Sequence, residues 1–218
     1  MSNEISVMES VYNKNDRVAS ELNRELTEKG VFCVNVLGAP GAGKTTFLIN
    51  IIKLLPFESS VIEGDIESDI DAGRLGALGI RAFQINTRGA CHLDSPLVDA
   101  AYRTLSLEKG VLFIENIGNL VCPAEFVIGE HIKLLICSVT EGDDKPYKYP
   151  LAFEKADVIL INKTDLAPYA DFDGDYFTKG VRTLNKTAPL FRINARDAAG
   201  YKEVSEWLTQ RASSVINA

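Results

Sequence analysis

From residue 31 onward two kinds of apolar pattern alternate along the chain. Short β-branched runs at 31–37, 60–63, 81–85, 111–114, 132–139, 158–161 and 190–193 are mostly continuous rather than strictly alternating. Continuous runs of that length suit strands covered on both faces, as in a parallel sheet. Between them, residues 44–55, 71–79, 96–107, 171–186 and 200–215 carry helical spacing and are predicted as helices. Ahead of the first strand, Ile5, Met8, Val11, Val18, Leu22 and Leu26 recur every three or four residues or at multiples of that spacing. The spacing predicts one or two helices with an apolar stripe, stopped by Gly30. Strand–helix alternation of this kind predicts an α/β fold: one doubly wound, mostly parallel sheet of about seven strands over 31–218, with an N-terminal helical segment, 1–30, packed on it.

Composition narrows the function classes. The 218 residues are 46% hydrophobic and 24% charged, ordinary values for a globular chain. A formal net charge of −7 argues against broad nucleic-acid binding, which wants a basic face. No apolar run approaches the about 20 residues of a membrane span, and Met1-Ser-Asn-Glu lacks the basic-then-apolar order of a signal peptide. A cytoplasmic protein without membrane or nucleic-acid partners is therefore expected. Four cysteines in a reducing compartment point to core, metal or catalytic roles before disulfides.

The first strand runs into Gly38-Ala-Pro-Gly-Ala-Gly-Lys-Thr45, which matches G-x-x-x-x-G-K-[ST]. Glycines let backbone amides turn inward to phosphate oxygens, and the next helix aims its positive end at them. Gly38, Ala39, Gly41, Ala42, Gly43, Lys44, Thr45 and Thr46 are the predicted phosphate-binding residues. Lys44 reaches the β- and γ-phosphates, and the Thr45 hydroxyl is a ligand for Mg²⁺. A buried strand then delivers Asn162-Lys-Thr-Asp165, which resembles the guanine-recognition motif of P-loop GTPases. Asp165 would accept from guanine N1 and N2, a donor pair that adenine lacks. Asn162 would brace the loop, and the Lys163 stem would cover the base. Asn194 and Ala195, after the last strand, could offer an amide to guanine O6.

Between these motifs lies Phe113-Ile-Glu-Asn-Ile-Gly-Asn119, in the slot where many GTPases carry Asp-x-x-Gly. Glu115 can hold a Mg²⁺ water, and the Gly118 amide can sense the γ-phosphate. The acid-rich loop Glu63-Gly-Asp-Ile-Glu-Ser-Asp-Ile-Asp71 offers Asp65 and Asp71 for the metal and the attacking water. A small-molecule kinase shares the P-loop, but Asn-Lys-x-Asp argues against it.

Cys91 and His92 are adjacent in a polar loop, and Cys122 lies four residues beyond Gly118. Two sulfurs and one imidazole suit Zn²⁺ and can take Ni²⁺. Three ligands are one short of a closed tetrahedron, so such a site is open to water or to a second chain. Spacing alone favours a structural role for these three residues over metal binding. Cys33 and Cys137, inside apolar strands, and His131, just before one, read as buried and inert.

In order and across nearly the whole chain, Gly38–Thr45, "EGDIESDIDA", "GACHLD", "ENIGNLVCP", "TEGDDKPYKYP" and "NKTD" resemble the hydrogenase nickel-incorporation GTPase family, HypB. The resemblance implies a P-loop fold of the dimerising metallochaperone GTPase type, slow conversion of GTP to GDP with Mg²⁺, and delivery of Ni²⁺ to the [NiFe] hydrogenase large-subunit precursor. It implies a homodimer promoted by GTP or metal, with Cys91, His92 and Cys122 holding Ni²⁺ or Zn²⁺ at its interface, and HypA as a maturation partner. Lys148 matches a position that reaches the partner's nucleotide, with Lys145 as the alternative. Residues 1–30 contain neither Cys nor His, so the nickel store some members carry in the N-terminal tail is not expected there. The alternatives are a sister GTPase serving urease or another metalloenzyme, and a scaffold that holds GDP and Zn²⁺ with negligible turnover.

Overall fold

The computed structural model describes residues 7–65, 70–87, 89–105 and 107–218, with the side chains of 7–12, 65, 70–72, 74 and 199 outside the described set. In chain order the elements are α1 (Val7–Glu28), β1 (Val31–Leu37), α2 (Lys44–Ile52), β2 (Ser59–Asp65), α3 (Ile70–Ala77), β3 (Arg81–Asn86), α4 (Ser95–Leu105) and β4 (Gly110–Glu115). Then follow α5 (Cys122–Glu125), β5 (Ile132–Ser138), α6 (Lys145–Lys148), α7 (Pro150–Lys155), β6 (Val158–Asn162), α8 (Gly174–Leu184), β7 (Leu190–Arg192) and α9 (Ala198–Ile216).

Seven strands form one sheet in the order β3-β2-β4-β1-β5-β6-β7, and every pairing is parallel. The chain leaves β1 toward β2 and β3, returns to β4, then crosses to β5, β6 and β7. The reversal falls at β1, and in such sheets ligands bind outside the strand ends at that point. The loop after β1 is the predicted phosphate loop.

All seven residues of β1 are buried, which explains its unbroken apolar run. Phe32, Val34 and Val36 face a core completed by Phe47, Leu48 and Ile51 of α2 and Tyr201, Val204 and Leu208 of α9. On the other face, Val31 and Cys33 pack with Leu22 and Leu26 of α1 and Val98 and Tyr102 of α4. Each leucine so buried contributes roughly 1.5–3 kcal/mol. Farther along that face, Leu37 joins Phe153 of α7 and Phe177 of α8. Asn35 alternates onto the same face as Cys33 and Leu37 and is fully buried, a polar position inside an apolar layer.

The predicted doubly wound sheet of seven strands is the observed one. Boundaries moved where hydrogen bonding outlasts the apolar run: β2 extends to Ser59 and Asp65 because β3 and β4 both pair with it. From Val7 the apolar stripe ahead of β1 is one helix, α1, with Ile5 outside the described residues, and Gly30 follows its end at φ 68°. Periodicity gave no sign of α5, α6 and α7, which are four to six residues long and carry Pro123, Pro146 and Pro150 at their starts. Proline suits a first helical turn, but four residues are too few to show a period.

Candidate functional site

The loop after β1 turns back across the strand end. Gly43 closes it at φ 97°, and a β-carbon there would collide with the side-chain amide of Asn162. Only glycine meets both demands without strain. Lys44 is the first residue of α2 and is 8% exposed; its Nζ donates to the carbonyls of Gly38 at 3.2 Å and Ala39 at 3.3 Å. The α2 N-terminus, with its positive dipole end, opens onto the same loop. Gly41 is exposed, Ala42 is fully buried and Thr46 half-buried.

Thr45 follows on α2 and donates from its hydroxyl to Glu115 Oε1 at 2.9 Å. Glu115 ends β4, and in the strand register it lies beside Glu63 of β2. The two carboxylates are 6% and 3% exposed. Burying them is costly unless donors or cations face them, and together with Thr45 they gather oxygen atoms of the kind Mg²⁺ takes. Glu63 was passed over in the sequence, where it reads as the end of an apolar run. Of the two aspartates singled out there, Asp65 ends β2 and Asp71 lies in the first turn of α3. Both side chains fall outside the described residues.

At the far side of the loop, β6 delivers Asn162-Lys163-Thr164-Asp165. Asn162 is buried; its Nδ2 donates to Ala42 O at 2.8 Å and its Oδ1 accepts from Lys163 N at 2.7 Å. Lys163 sits in the left-handed region at φ 58° and extends its Nζ to Gly41 O at 2.7 Å. Thr164 donates to Ile193 O at 3.2 Å, and Asn194 Nδ2 reaches Thr164 Oγ1 at 3.4 Å. The segment 193–195 therefore lies against the motif, with Asp165 and Ala195 both exposed. Lys148 stands apart, exposed on α6 and ion-paired with Asp144 one turn earlier. Lys145, on the same short helix, lies over the Tyr149 ring at 5.5 Å.

The second cluster joins residues 31 positions apart. Cys91 Sγ lies 3.1 Å from Cys122 Sγ and 3.6 Å from His92 Nδ1, and one ligand atom from each residue falls within 4.8 Å of the others. Among the described residues this is the one His/Cys/Asp/Glu group close enough to hold a metal ion. Cys91 is exposed, while His92 and Cys122 are half-buried. Thiol-to-thiol hydrogen bonding with Cys122, assisted by partial burial, raises the Cys91 thiol above its ordinary value. Burial lowers the His92 imidazole against the opposing pull of Asp94 and Glu125, so the ring is neutral near pH 7. Its face stacks on Phe126 at 4.0 Å between centroids. Asp94 caps α4, accepting from Leu97 N at 3.0 Å. Cys33 and Cys137 are buried at 0% and 2% exposure, and desolvation pushes both thiols far up. His131 is only half-buried: its Nδ1 accepts from Cys33 N at 2.9 Å and its Nε2 meets Thr27 Oγ1 at 3.0 Å.

One segment, 115–122, touches both clusters. Gly118 lies so close to Pro40 that a β-carbon would meet Pro40 N at 2.9 Å, and Asn119 forms an isolated bridge with Gly38. The Asn119 side chain donates to Cys91 O at 3.2 Å and accepts from Val121 N at 3.0 Å. Asn116 Oδ1 accepts from Leu93 N at 3.3 Å. Cys122 thus follows this segment through the chain, and the Cys91-His92 loop follows it through two asparagine side chains. Neither asparagine was singled out in the sequence; their only signal is two amides just past the end of a buried strand.

Comparison with known proteins bears on the same residues. A family model described as "CobW/HypB/UreG, nucleotide-binding domain" matches residues 32–192. The chain is 42% identical over 217 residues to the hydrogenase maturation factor HypB of Azotobacter chroococcum, covering 98% of this chain and 71% of that protein. It is 34% identical to the hydrogenase/urease maturation factor HypB of Helicobacter pylori, with 95% and 88% covered. A crystal structure of the Helicobacter pylori HypB in complex with nickel superposes with a TM-score of 0.89 at 33% identity, covering 93% of this chain and 97% of that one. Those matches extend beyond the phosphate loop to both clusters and nearly every element between them, and the chain belongs to the HypB family of P-loop GTP-binding maturation factors.

Proposed function

We propose that this chain hydrolyses GTP and couples the hydrolysis to delivery of nickel to a [NiFe] hydrogenase precursor. One observation carries the proposal: segment 115–122 contacts the phosphate loop at Gly38 and Pro40 and also holds both halves of the Cys91-His92-Cys122 cluster. Nickel is the cargo, held by two thiolates and a neutral imidazole. With three ligands per chain, a second subunit or water supplies the fourth. A two-fold dimer formed with GTP and sharing this site answers that need, with Lys148 or Lys145 reaching the partner's nucleotide.

For the chemistry, the phosphate-loop amides and Lys44 stabilise charge on the β- and γ-phosphates. Thr45 and Glu115, already 2.9 Å apart, would hold Mg²⁺ together with Asp65 or Asp71. When bound, Mg²⁺ neutralises charge developing on the phosphate oxygens. Asp165 selects guanine, Asn162 and Lys163 brace the loop, and the Asn194-Ala195 backbone meets O6. An acid from 65–71 or Glu115 orients water. Among the described residues no side chain is placed as an arginine finger, and turnover should be slow, on the order of 10⁻⁴–10⁻² s⁻¹. Loss of the γ-phosphate frees Gly118, and the motion shifts Cys122 and, through Asn119, Cys91.

Hydrogenase is favoured over urease as the destination because the relative named for hydrogenase alone is 42% identical and the one named for both is 34% identical. The test is a titration of Ni²⁺ and Zn²⁺ into protein loaded with GDP or a non-hydrolysable GTP analogue, with mass followed by light scattering. A coupling of ~1–3 kcal/mol gives a ~5- to 150-fold difference in metal affinity between the two forms. Equal affinities and an unchanged monomer would reduce the molecule to two independent sites, and a GDP/Zn²⁺ scaffold would then be the better reading.

A further inference from the structure

Lys133, the second residue of β5, is 7% exposed and has no part in the chemistry above. Its Nζ donates to Phe126 O at 2.5 Å, reaches Pro123 O at 3.5 Å and pairs with Glu130 Oε1 at 2.9 Å. Lysine and glutamate are seldom buried unless paired. A buried pair of this kind adds little net stability over an apolar replacement, so stability does not account for it. Geometry does. Pro123 lies in the single helical turn α5, whose first residue is Cys122, and Phe126 is the residue that closes that turn, so Lys133 grips it from within and at its end. One isolated turn does not hold its own shape, and no side chain caps its start at Val121.

The same pair reaches the other half of the cluster by two routes. Phe126, whose carbonyl Lys133 holds, stacks its ring on His92. Glu130 accepts from Asn35 Nδ2 at 3.4 Å, Asn35 accepts from Asn116 at 3.1 Å, and Asn116 accepts from Leu93 N beside His92. We propose that Lys133 is a positioning residue for the metal site, fixing the Cys122 turn directly and the His92 ring through Phe126. The inference rests on the reading of Cys91, His92 and Cys122 as metal ligands. It assigns the buried ion pair the task of keeping those ligands convergent.

The test uses the full chain and Ni²⁺ alone as the probe, followed by thiolate-to-nickel charge-transfer absorption, with GDP affinity measured in parallel. The double variant Lys133→Met/Glu130→Gln removes the pair without leaving a buried charge unmatched. It should lower Ni²⁺ affinity about 10- to 100-fold, as loss of outer ligand supports does, and alter the charge-transfer band while GDP affinity stays within about twofold. Unchanged Ni²⁺ affinity and band, or equal losses of Ni²⁺ and GDP binding, overturn the assignment. Should that variant fail to fold, the half-buried Phe126 decides. Phe126→Leu should weaken Ni²⁺ binding severalfold and Phe126→Tyr should restore it; identical behaviour of the two overturns the proposal. Failure of the underlying reading looks different: the unmodified chain would show no thiolate band, or the band would survive replacement of Cys91 and Cys122.

Discussion

The two clusters are built in opposite ways. The phosphate loop is seated on the central strand, with Lys44, Thr45, Glu115 and Asn162 all less than a tenth exposed and each bonded to another part of the cradle. The cysteine–histidine cluster joins a loop to the first residue of the short turn α5, with Cys91 exposed and, among the described residues, no backbone ladder joining its two halves. A site that must grip an anion through many turnovers gains from rigid amides fixed before the ligand arrives. One that must release its cargo gains from ligands on separate, movable loops. The contrast predicts that damage to the cradle will be felt as lost chemistry, and damage to the loops as lost metal with chemistry retained.

The largest expected effect is on metal. Cys91→Ala, His92→Ala or Cys122→Ala should each abolish stoichiometric Ni²⁺ or Zn²⁺ binding, read by metal analysis after gel filtration, while leaving GDP binding in place. Cys33→Ser and Cys137→Ser should keep the metal and instead lose about 1–3 kcal/mol of stability, because a hydroxyl enters an apolar layer. A metal bound as proposed would displace protons from the thiols, and the Cys91 thiol holds its proton above the ordinary value. Affinity should therefore rise with pH between 6 and 8, and a flat profile would exclude thiolate ligation.

Next comes the cradle. Lys44→Ala should reduce GTP turnover by ~10²–10³-fold, the usual cost of one preorganised donor. Thermal unfolding of the nucleotide-free protein should move little by comparison. An active variant would break the assignment. Asp165→Asn follows, with an expected loss of about 10²-fold in preference for GTP over ATP and a gain for xanthine nucleotides, checked by competition binding.

The smallest effect lies outside both clusters. His131 is held neutral: Cys33 N–H donates to its Nδ1, so Nε2 carries the proton toward Thr27. Burial lowers its pKa against the pull of Glu130. The unfolded chain takes up a proton near the ordinary imidazole value of about 6.5, so this contribution is present above that pH and fades as pH falls below it. Denaturation midpoints at pH 7.5 and 5 should show a drop that His131→Phe, which keeps the stack on Phe32, partly removes.

The sheet and the phosphate loop were legible in the sequence, because each depends on short-range pattern, whereas metal binding by Cys91, His92 and Cys122 was favoured only through the family resemblance. Strands announce themselves by buried β-branched runs, and the phosphate loop by glycine spacing that only one geometry requires. What could not be read was contact between distant residues. Asn35 looks like a blemish in β1 until Asn116, 81 positions away, is found bonded to it. Lys133 looks like the polar start of a strand, yet it is buried because its stem folds back over α5. Asp94, two residues beyond His92, caps the helix that begins one residue later, a contact that its place in a polar loop does not announce.

Asn162 and Lys163 are bonded to the carbonyls of Ala42 and Gly41. Under the proposed guanine reading, the residues beside the base are thus also struts of the phosphate loop, and this limits how the protein can be re-engineered or can drift. Replacing the Asn-Lys pair to admit another base would slacken the grip on every nucleotide at once. Asp165, exposed and outside that bracing, is where base preference can change while the loop keeps its shape.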